Sequence, residues 1–329
     1  MKVDAAILIG DRGKIRPIRG ENKNFLELNG LPLFFYSLKA LEESPYVNRI
    51  FVVGDKKRIE KAIAQHYLSL LSPERVIPLE QRRNLYENAF LAFETALEME
   101  RKGGGVYHGK AEEKAMLYLP GDIPLITSQE INEFLEQCDL DSIDYSLGMS
   151  TEDGLKPFYP TRYKRGIKMA YFHAKEKKYR QNNLHLVKPL KIKNRHYIQQ
   201  LYDYRYQKQF LNFLKLLLAI YRAHVQWKGI YYFLLLHWNL LLSRLGLERL
   251  TPPFRKLIKV DEVEKIVTNF LDCRFKIVET KVIGAALDVD NEKDYETMKV
   301  RFRYWRKYQD KLINRLKNSI APLRLKEKE

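Results

Sequence analysis

Short apolar runs alternate with helical periodicity through the first half of this chain, and that alternation restricts the fold more than any other feature. The runs Asp4–Ile9, Arg49–Val53, Arg75–Pro78 and Ala115–Leu119 are bounded by Gly, Pro or charged residues. Such runs read as strands buried on both faces of a mostly parallel sheet. Between them lie helical patterns at Leu33–Glu43, Lys57–Leu71 and Leu85–Arg101. The last carries Leu85, Ala89, Ala92, Phe93 and Ala96 on one stripe. A glycine-rich connection at Lys102–Lys114 reads as flexible surface, Ser128–Cys138 as a helix and Ser142–Gly148 as a further strand. Strands alternating with helices predict an α/β fold.

The pattern breaks near Leu155 and resumes near Val260. In between, Tyr, Lys, Arg and leucine runs dominate. Residues 151–260 hold 23 Lys and Arg against 5 Asp and Glu, while the rest of the chain holds 35 against 36. The formal charge of +17 therefore lies wholly in that one stretch. This predicts residues 1–154 as the first part of a near-neutral α/β core and 155–260 as a basic helical insertion. Residues 261–329 return to the core, with a helix at Asp261–Leu271, a strand at Phe275–Val278, a strand ending at Ala286–Val289 and a long helix at Asn291–Arg315. Two cysteines, Cys138 and Cys273, are too few for a disulfide framework. No secretory pattern opens the sequence, so a cytoplasmic setting is expected.

Three motifs carry chemistry. The first strand runs into Gly10-Asp11-Arg12-Gly13-Lys14-Ile15-Arg16, a glycine-containing basic loop. In α/β proteins such loops cradle phosphates, because glycines admit close backbone N–H groups and cations offset the charge. The missing Gly-Lys-Ser/Thr excludes a P-loop, and the third glycine of the dinucleotide fingerprint is absent. An ordinary turn explains the loop equally well on its own. Second, Pro120-Gly121-Asp122-Ile123-Pro124 follows the strand Ala115–Leu119 and sets a carboxylate where α/β folds bind ligands. Third, Asp288-Val289-Asp290 precedes the last helix, whose acidic start also suits plain capping.

Lys23 and the run Leu28-Asn29-Gly30-Leu31-Pro32-Leu33, taken with these motifs, resemble the GT-A-like or MobA-like NTP transferase superfamily. That class includes sugar-1-phosphate uridylyl- and cytidylyltransferases, methylerythritol cytidylyltransferases and molybdenum-cofactor guanylyltransferases. The resemblance covers residues 1–150 and 275–300. It implies a Rossmann-like mixed, mostly parallel sheet, here with an inserted basic α-helical subdomain. It also implies that Asp122 and Asp290 hold Mg²⁺, that Lys23 is catalytic, and that Gly10, Asp11, Arg12 and Gly13 contact the nucleotide. The second glycine of the family's loop is Asp11 here, and its Thr-Arg pair falls on Lys14-Ile15, so Lys14 or Arg16 would supply the missing cation. The segment Glu80–Asn88 often faces the nucleobase in that class, which makes Asn84 and Asn88 base-contact candidates; helix capping by Asn84 is an equal alternative.

The insertion leaves its partner open. Tyr163–Arg195 mixes aromatic residues with Lys175, Lys177, Lys178, Arg180, Lys188, Lys191 and Lys193. No nucleic-acid fold signature accompanies these charges, so nucleic acid is not the expected partner. Arg180, Asn182 and Asn183 are the candidate acceptor-phosphate residues, with a solvated turn as the alternative. The leucine-rich runs Phe210–Tyr221 and Gly229–Leu242 fall short of the roughly 18–20 residues that cross a bilayer. A hairpin over 205–250 lying on an anionic membrane's inner face fits them. Burial against each other, or against a second subunit in a homodimer, fits them equally. The expected reaction is Mg²⁺-dependent transfer of a nucleoside monophosphate from an NTP to a phosphorylated sugar, polyol or lipid-linked acceptor, releasing pyrophosphate. A glycosyltransferase using Asp288-Val289-Asp290 as an Asp-x-Asp motif, or a non-catalytic membrane- or partner-binding relative, are the alternatives.

Overall fold

The computed structural model describes residues 2–12, 17–102, 110–195, 198, 231 and 258–326. Its centre is a mixed sheet in the order β10-β7-β9-β6-β1-β4-β5, with β8 added on β9. The strands are β1 (Val3–Leu8), β4 (Val47–Gly54), β5 (Val76–Glu80), β6 (Met116–Pro120), β7 (Tyr145–Thr151), β8 (Phe172–His173), β9 (Lys178–Val187) and β10 (Phe275–Glu279). Pairs β1–β4, β1–β6, β4–β5 and β7–β10 are parallel; β9 runs antiparallel between β6 and β7. This is the mostly parallel α/β architecture that the alternation predicts.

Central burial explains the apolar runs. Ala5, Ala6 and Ile7 of β1 and Phe51, Val52 and Val53 of β4 have no exposed surface. On one face, α1 (Leu33–Glu42) and α4 (Ser128–Glu136) pack Phe34, Phe35, Leu38, Ile131 and Phe134 against the sheet. On the other, α3 (Leu85–Lys102) supplies Ala92, Phe93 and Ala96. The short helix α5 (Glu152–Leu155) follows β7, and the amphipathic helices α2 (Lys56–Gln65) and α6 (Val260–Leu271) cover the flanks. A third cluster seats the long helix α7 (Glu292–Lys326) through Tyr295, Met298, Phe302 and Trp305.

The structure corrects the sequence reading at four places. The sheet does not stop at residue 154: β8 and β9 belong to it, so a helical insertion cannot begin at 155. The strand β9 escaped notice because it alternates buried Asn182, Leu184 and Leu186 with polar residues instead of forming an apolar run. No strand ends at Ala286–Val289; Gly284–Ala286 is a 3₁₀ turn in which apolar side chains are buried without a ladder. Before α1, the run Leu28-Asn29-Gly30-Leu31 is a tight hairpin of β2 (Glu27–Leu28) and β3 (Leu31–Pro32). Asn29 at φ 51° and Gly30 at φ 81° supply the two left-handed positions that such a turn requires. Finally, α7 extends past Arg315 to Lys326. The run Phe210–Tyr221, the run Gly229–Leu242 apart from Tyr231, and the middle of Lys102–Lys114 lie outside the described residues. Among the described residues, no helix is long and apolar enough to cross a membrane.

At the amino end of β1, Asp4 is buried at 2% exposure and bound by Arg49 at 2.6 Å and Lys114 at 2.8 Å. Glu100 receives the same two cations at 2.9 and 2.6 Å. Burial pushes the Asp4 carboxyl up, but the hydrogen bonds from Arg49 and Lys114 outweigh it and hold it below the ordinary value. Asp4→Asn should destabilise the fold by about 3 kcal/mol, because the half-buried Arg49 and the buried Lys114 lose the carboxylate they share with Glu100. The pH dependence follows from the lowered value. The ionised form's contribution is complete above an ordinary aspartate's range and is lost as pH falls through the lower folded value. Urea midpoints at pH 7 and pH 3 check both points: the parent should lose more stability than Asp4→Asn over that interval.

Candidate active site

The carboxyl ends of β1, β4, β5 and β6 lie side by side, and three of the predicted residues meet there. Asn22 fixes the first. Its side chain accepts from Asn24 N at 3.0 Å, capping the 3₁₀ turn Lys23–Phe25, and donates to Ile9 O at 2.9 Å. Lys23 is thereby fastened to the end of β1. The same loop is strapped to α7, since the Arg19 guanidinium holds Glu292 at 2.9 Å and Glu296 at 2.7 Å.

Gly121 fixes the second. A Cβ there would stand 2.5 Å from Ile9 Cγ2 and 2.7 Å from Phe34 Cβ, so only glycine lets the end of β6 approach β1 and α1 this closely. Asp122 follows directly, 7% exposed. Its carbonyl accepts from Val289 N at 2.9 Å, which brings the Asp288–Asp290 segment alongside.

Lys23 Nζ stands 2.5 Å from Asp122 Oδ2 and 3.1 Å from Asp290 Oδ1. Burial opposes the lysine's charge, but the two carboxylates outweigh it and hold the ammonium above the ordinary lysine value. Burial likewise pushes Asp290 up, while Lys23 brings it below the usual range. Asp288 is held by Arg180 Nη2 at 2.5 Å and also stands against Asp290, and burial raises it to about 6 despite that cation. The other Asp122 oxygen, Oδ1, is buried and has no hydrogen-bond partner among the described residues.

These residues fit a magnesium ion. Mg²⁺ takes one or two carboxylates and completes its octahedron with water and substrate phosphate oxygens. A buried, unpartnered carboxylate oxygen beside a second, half-exposed carboxylate is such a donor set. Among the described residues, no group of three or more His, Cys, Asp or Glu could enclose a metal unaided.

The other candidates are placed as follows. Gly10 is packed so closely that a Cβ would meet Asn88 Nδ2 at 2.6 Å and Gln81 Oε1 at 2.8 Å. Gln81 Oε1 accepts from Asp11 N at 2.7 Å and Arg12 N at 3.2 Å, and its amide donates to Asp11 Oδ1. Two N–H groups assigned to phosphate by the sequence are thus held by a buried glutamine. The Arg12 guanidinium binds Glu80 at 2.8 Å. Gly13, Lys14 and Arg16 lie outside the described residues. Asn84 caps α3 by accepting from Glu87 N, and Asn88 accepts from Arg82 N at 2.6 Å. Asn182 drops out of the acceptor set: it has no exposed surface and donates to Thr280 Oγ1 at 2.8 Å. Arg180 and Asn183 both reach the Ala285–Asp288 segment. Sequence reasoning missed Asn22 and Gln81, whose roles arise from contacts 13 and 70 residues away.

Residues 5–182, more than half of the chain, match the MobA-like NTP transferase domain. The chain belongs to that family. Segments of this NTP transferase also resemble 2-C-methyl-D-erythritol 4-phosphate cytidylyltransferases. It is 45% identical over 56 residues to that of Lachnospira eligens and 41% over 59 residues to that of Clostridium perfringens. Those stretches cover 17% and 18% of this chain, and span about a quarter of the relatives' own length, 24% and 26%. The whole fold is similar to a transferase structure from Thermus thermophilus described as hypothetical, with a TM-score of 0.57 and 19% identity over 89% of this chain and 99% of that one. At that identity the likeness concerns the fold alone.

Proposed function

We propose that this NTP transferase moves a nucleoside monophosphate from a nucleoside triphosphate to a phosphorylated acceptor, with Mg²⁺ and with release of pyrophosphate. The observation that carries it is the meeting of Lys23, Asp122 and Asp290 at the strand ends, with Asp122 Oδ1 buried and unpartnered. A phosphate oxygen of the acceptor attacks the α-phosphorus, a new P–O bond forms, and the bond to the β-phosphate oxygen breaks. Pyrophosphate carries away the bonding pair. Asp122 and Asp290 would hold the ion, which when bound neutralises charge on the triphosphate. Lys23 brings a fixed cation to the phosphoryl group as its charge grows. The protein contributes position and charge rather than a covalent intermediate.

Matched stretches of curated cytidylyltransferases support CTP as the nucleotide. The glycosyltransferase alternative is less well supported, because the family that residues 5–182 match is one of NTP transferases. Sugar, polyol and lipid-linked phosphates stay within the proposed acceptor class, as does attachment to an anionic membrane surface. The test is pyrophosphate release with ATP, GTP, CTP or UTP, Mg²⁺, and a panel of phosphorylated acceptors. Release should require CTP, Mg²⁺ and an acceptor phosphate together. Preference for another base would overturn the cytidylyl assignment, and release of a nucleoside diphosphate from a nucleotide sugar would overturn the reaction class.

A further inference from the structure

Between β10 and Asp290 the chain is buried from Val282 to Leu287 and lies in no strand, so its backbone N–H groups need other acceptors. Two carboxylates on α4 provide them. Glu133 accepts from Lys281 N at 2.8 Å and Val282 N at 3.0 Å. One turn earlier, Glu130 Oε2 accepts from Ala285 N at 2.9 Å. We propose that Glu130 and Glu133 form a positioning clamp that sets Asp290 against Asp122 and thereby fixes the spacing of the metal-holding pair. This inference rests on the metal reading given above.

Glu130 has no exposed surface and lies in the same helix turn as Ile131 and Phe134. An apolar side chain would satisfy helix packing there, and a buried carboxylate is costly unless hydrogen-bonded. What it bonds is the segment carrying the second aspartate. The clamp acts on a tightly fitted joint. Gly284 packs so closely on Leu125 that a Cβ would stand 1.9 Å from its carbonyl oxygen. Arg306 of α7 donates to Ile126 O at 2.8 Å and to Leu125 O at 3.3 Å. Thr127 Oγ1 accepts from Glu130 N at 3.2 Å, which fixes the start of α4. Five residues past Ala285, Asp290 inherits this placement, and Val289 N closes it on the Asp122 carbonyl. Burial raises the Glu130 carboxyl well above its ordinary range. The neutral acid still presents a carbonyl oxygen, as does glutamine.

The experiment measures Mn²⁺ binding, with Mn²⁺ alone as the probe, by electron paramagnetic resonance of free manganese, together with amide hydrogen exchange over residues 281–290. Glu130→Ala should weaken Mn²⁺ binding by about tenfold or more, as loss of a supporting contact behind a ligand does, and should speed exchange in the segment. Glu130→Gln should stay within about twofold of the parent, since it keeps the acceptor. Phe134→Leu, a core change on the same helix that leaves the segment's bonds intact, should lower thermal stability without altering Mn²⁺ affinity. If Glu130→Ala does not fold, Glu133→Ala is the milder probe and should weaken binding by about threefold. Parent-like Mn²⁺ affinity in the alanine variant, or an equal loss in Phe134→Leu, overturns the clamp while the metal site stands. No Mn²⁺ binding by the parent chain overturns the metal reading and the clamp with it.

Discussion

Asp122→Asn is expected to lower turnover by at least about a hundredfold, equivalent to about 2.7 kcal/mol of transition-state stabilisation. Asp122 offers the buried, unpartnered oxygen and stands closest to Lys23. Asparagine preserves the size of the side chain but removes the charge and one of two ligand oxygens. The amide then leaves Lys23 with Asp290 alone, so the loss reaches both the ion and the lysine. Asp290→Asn should act in the same direction with a smaller effect, because the Asp290 side chain is 62% exposed and water can take its place. The measurement is pyrophosphate release across a Mg²⁺ titration, with thermal midpoints confirming that the fold is intact. Turnover within about threefold of the parent at unchanged Mg²⁺ requirement would remove Asp122 from the site.

Lys23→Ala carries the second large effect: a fall in kcat of about a hundredfold with a much smaller rise in nucleotide KM. Charge on the transferring phosphoryl group is greatest in the transition state, so a cation aimed there favours that state over the bound ground state. The variant has an opposite consequence for bare metal. In the parent, the ammonium lies between two carboxylates at 2.5 and 3.1 Å. Without it the pair loses the cation that lies between its two carboxylates, and Mn²⁺ alone should bind more tightly than to the parent. Separate determination of kcat, KM and Mn²⁺ affinity checks both directions. A change confined to KM would make Lys23 a binding contact only.

The parts of this molecule that were legible in sequence are those that chain-local chemistry determines. Strands β1, β4 and β6 are apolar runs because both faces are buried, and the glycine and proline around Asp122 mark the turn that presents it. The strand β9 was not legible, since one face packs on the core while the other stays polar, and its register comes from β6 and β7. Nor could the sequence show that the Gly10–Arg12 amides are held by Gln81, a side chain 70 residues away. Asn182 was chosen for its polarity next to Arg180. A bulge in β9, between Gln181 and His185 and with Asn183 at φ 65°, turns Asn182 inward to Thr280, while Arg180 and Asn183 reach the Ala285–Asp288 segment. The Glu130–Glu133 clamp has no local signature at all, because a glutamate on an amphipathic helix usually faces water.

The pairing of β10 with β7 has a consequence for the newborn protein. Asp122 and Asp290 are separated by 168 positions, and the segment between them includes the basic stretch and four strands of the sheet, β7 to β10. At ~5–20 residues per second, translation needs roughly ten to thirty seconds to pass from one aspartate to the other. Throughout that interval the first carboxylate and its lysine are already made, yet the second does not exist. A partly synthesised chain therefore holds half of the proposed metal pair, and the capacity to handle a triphosphate arrives only after β10 has joined the sheet and α7 has started to form. On the proposed reading, nucleotide chemistry is in this way deferred until the last residue of the metal pair has been made.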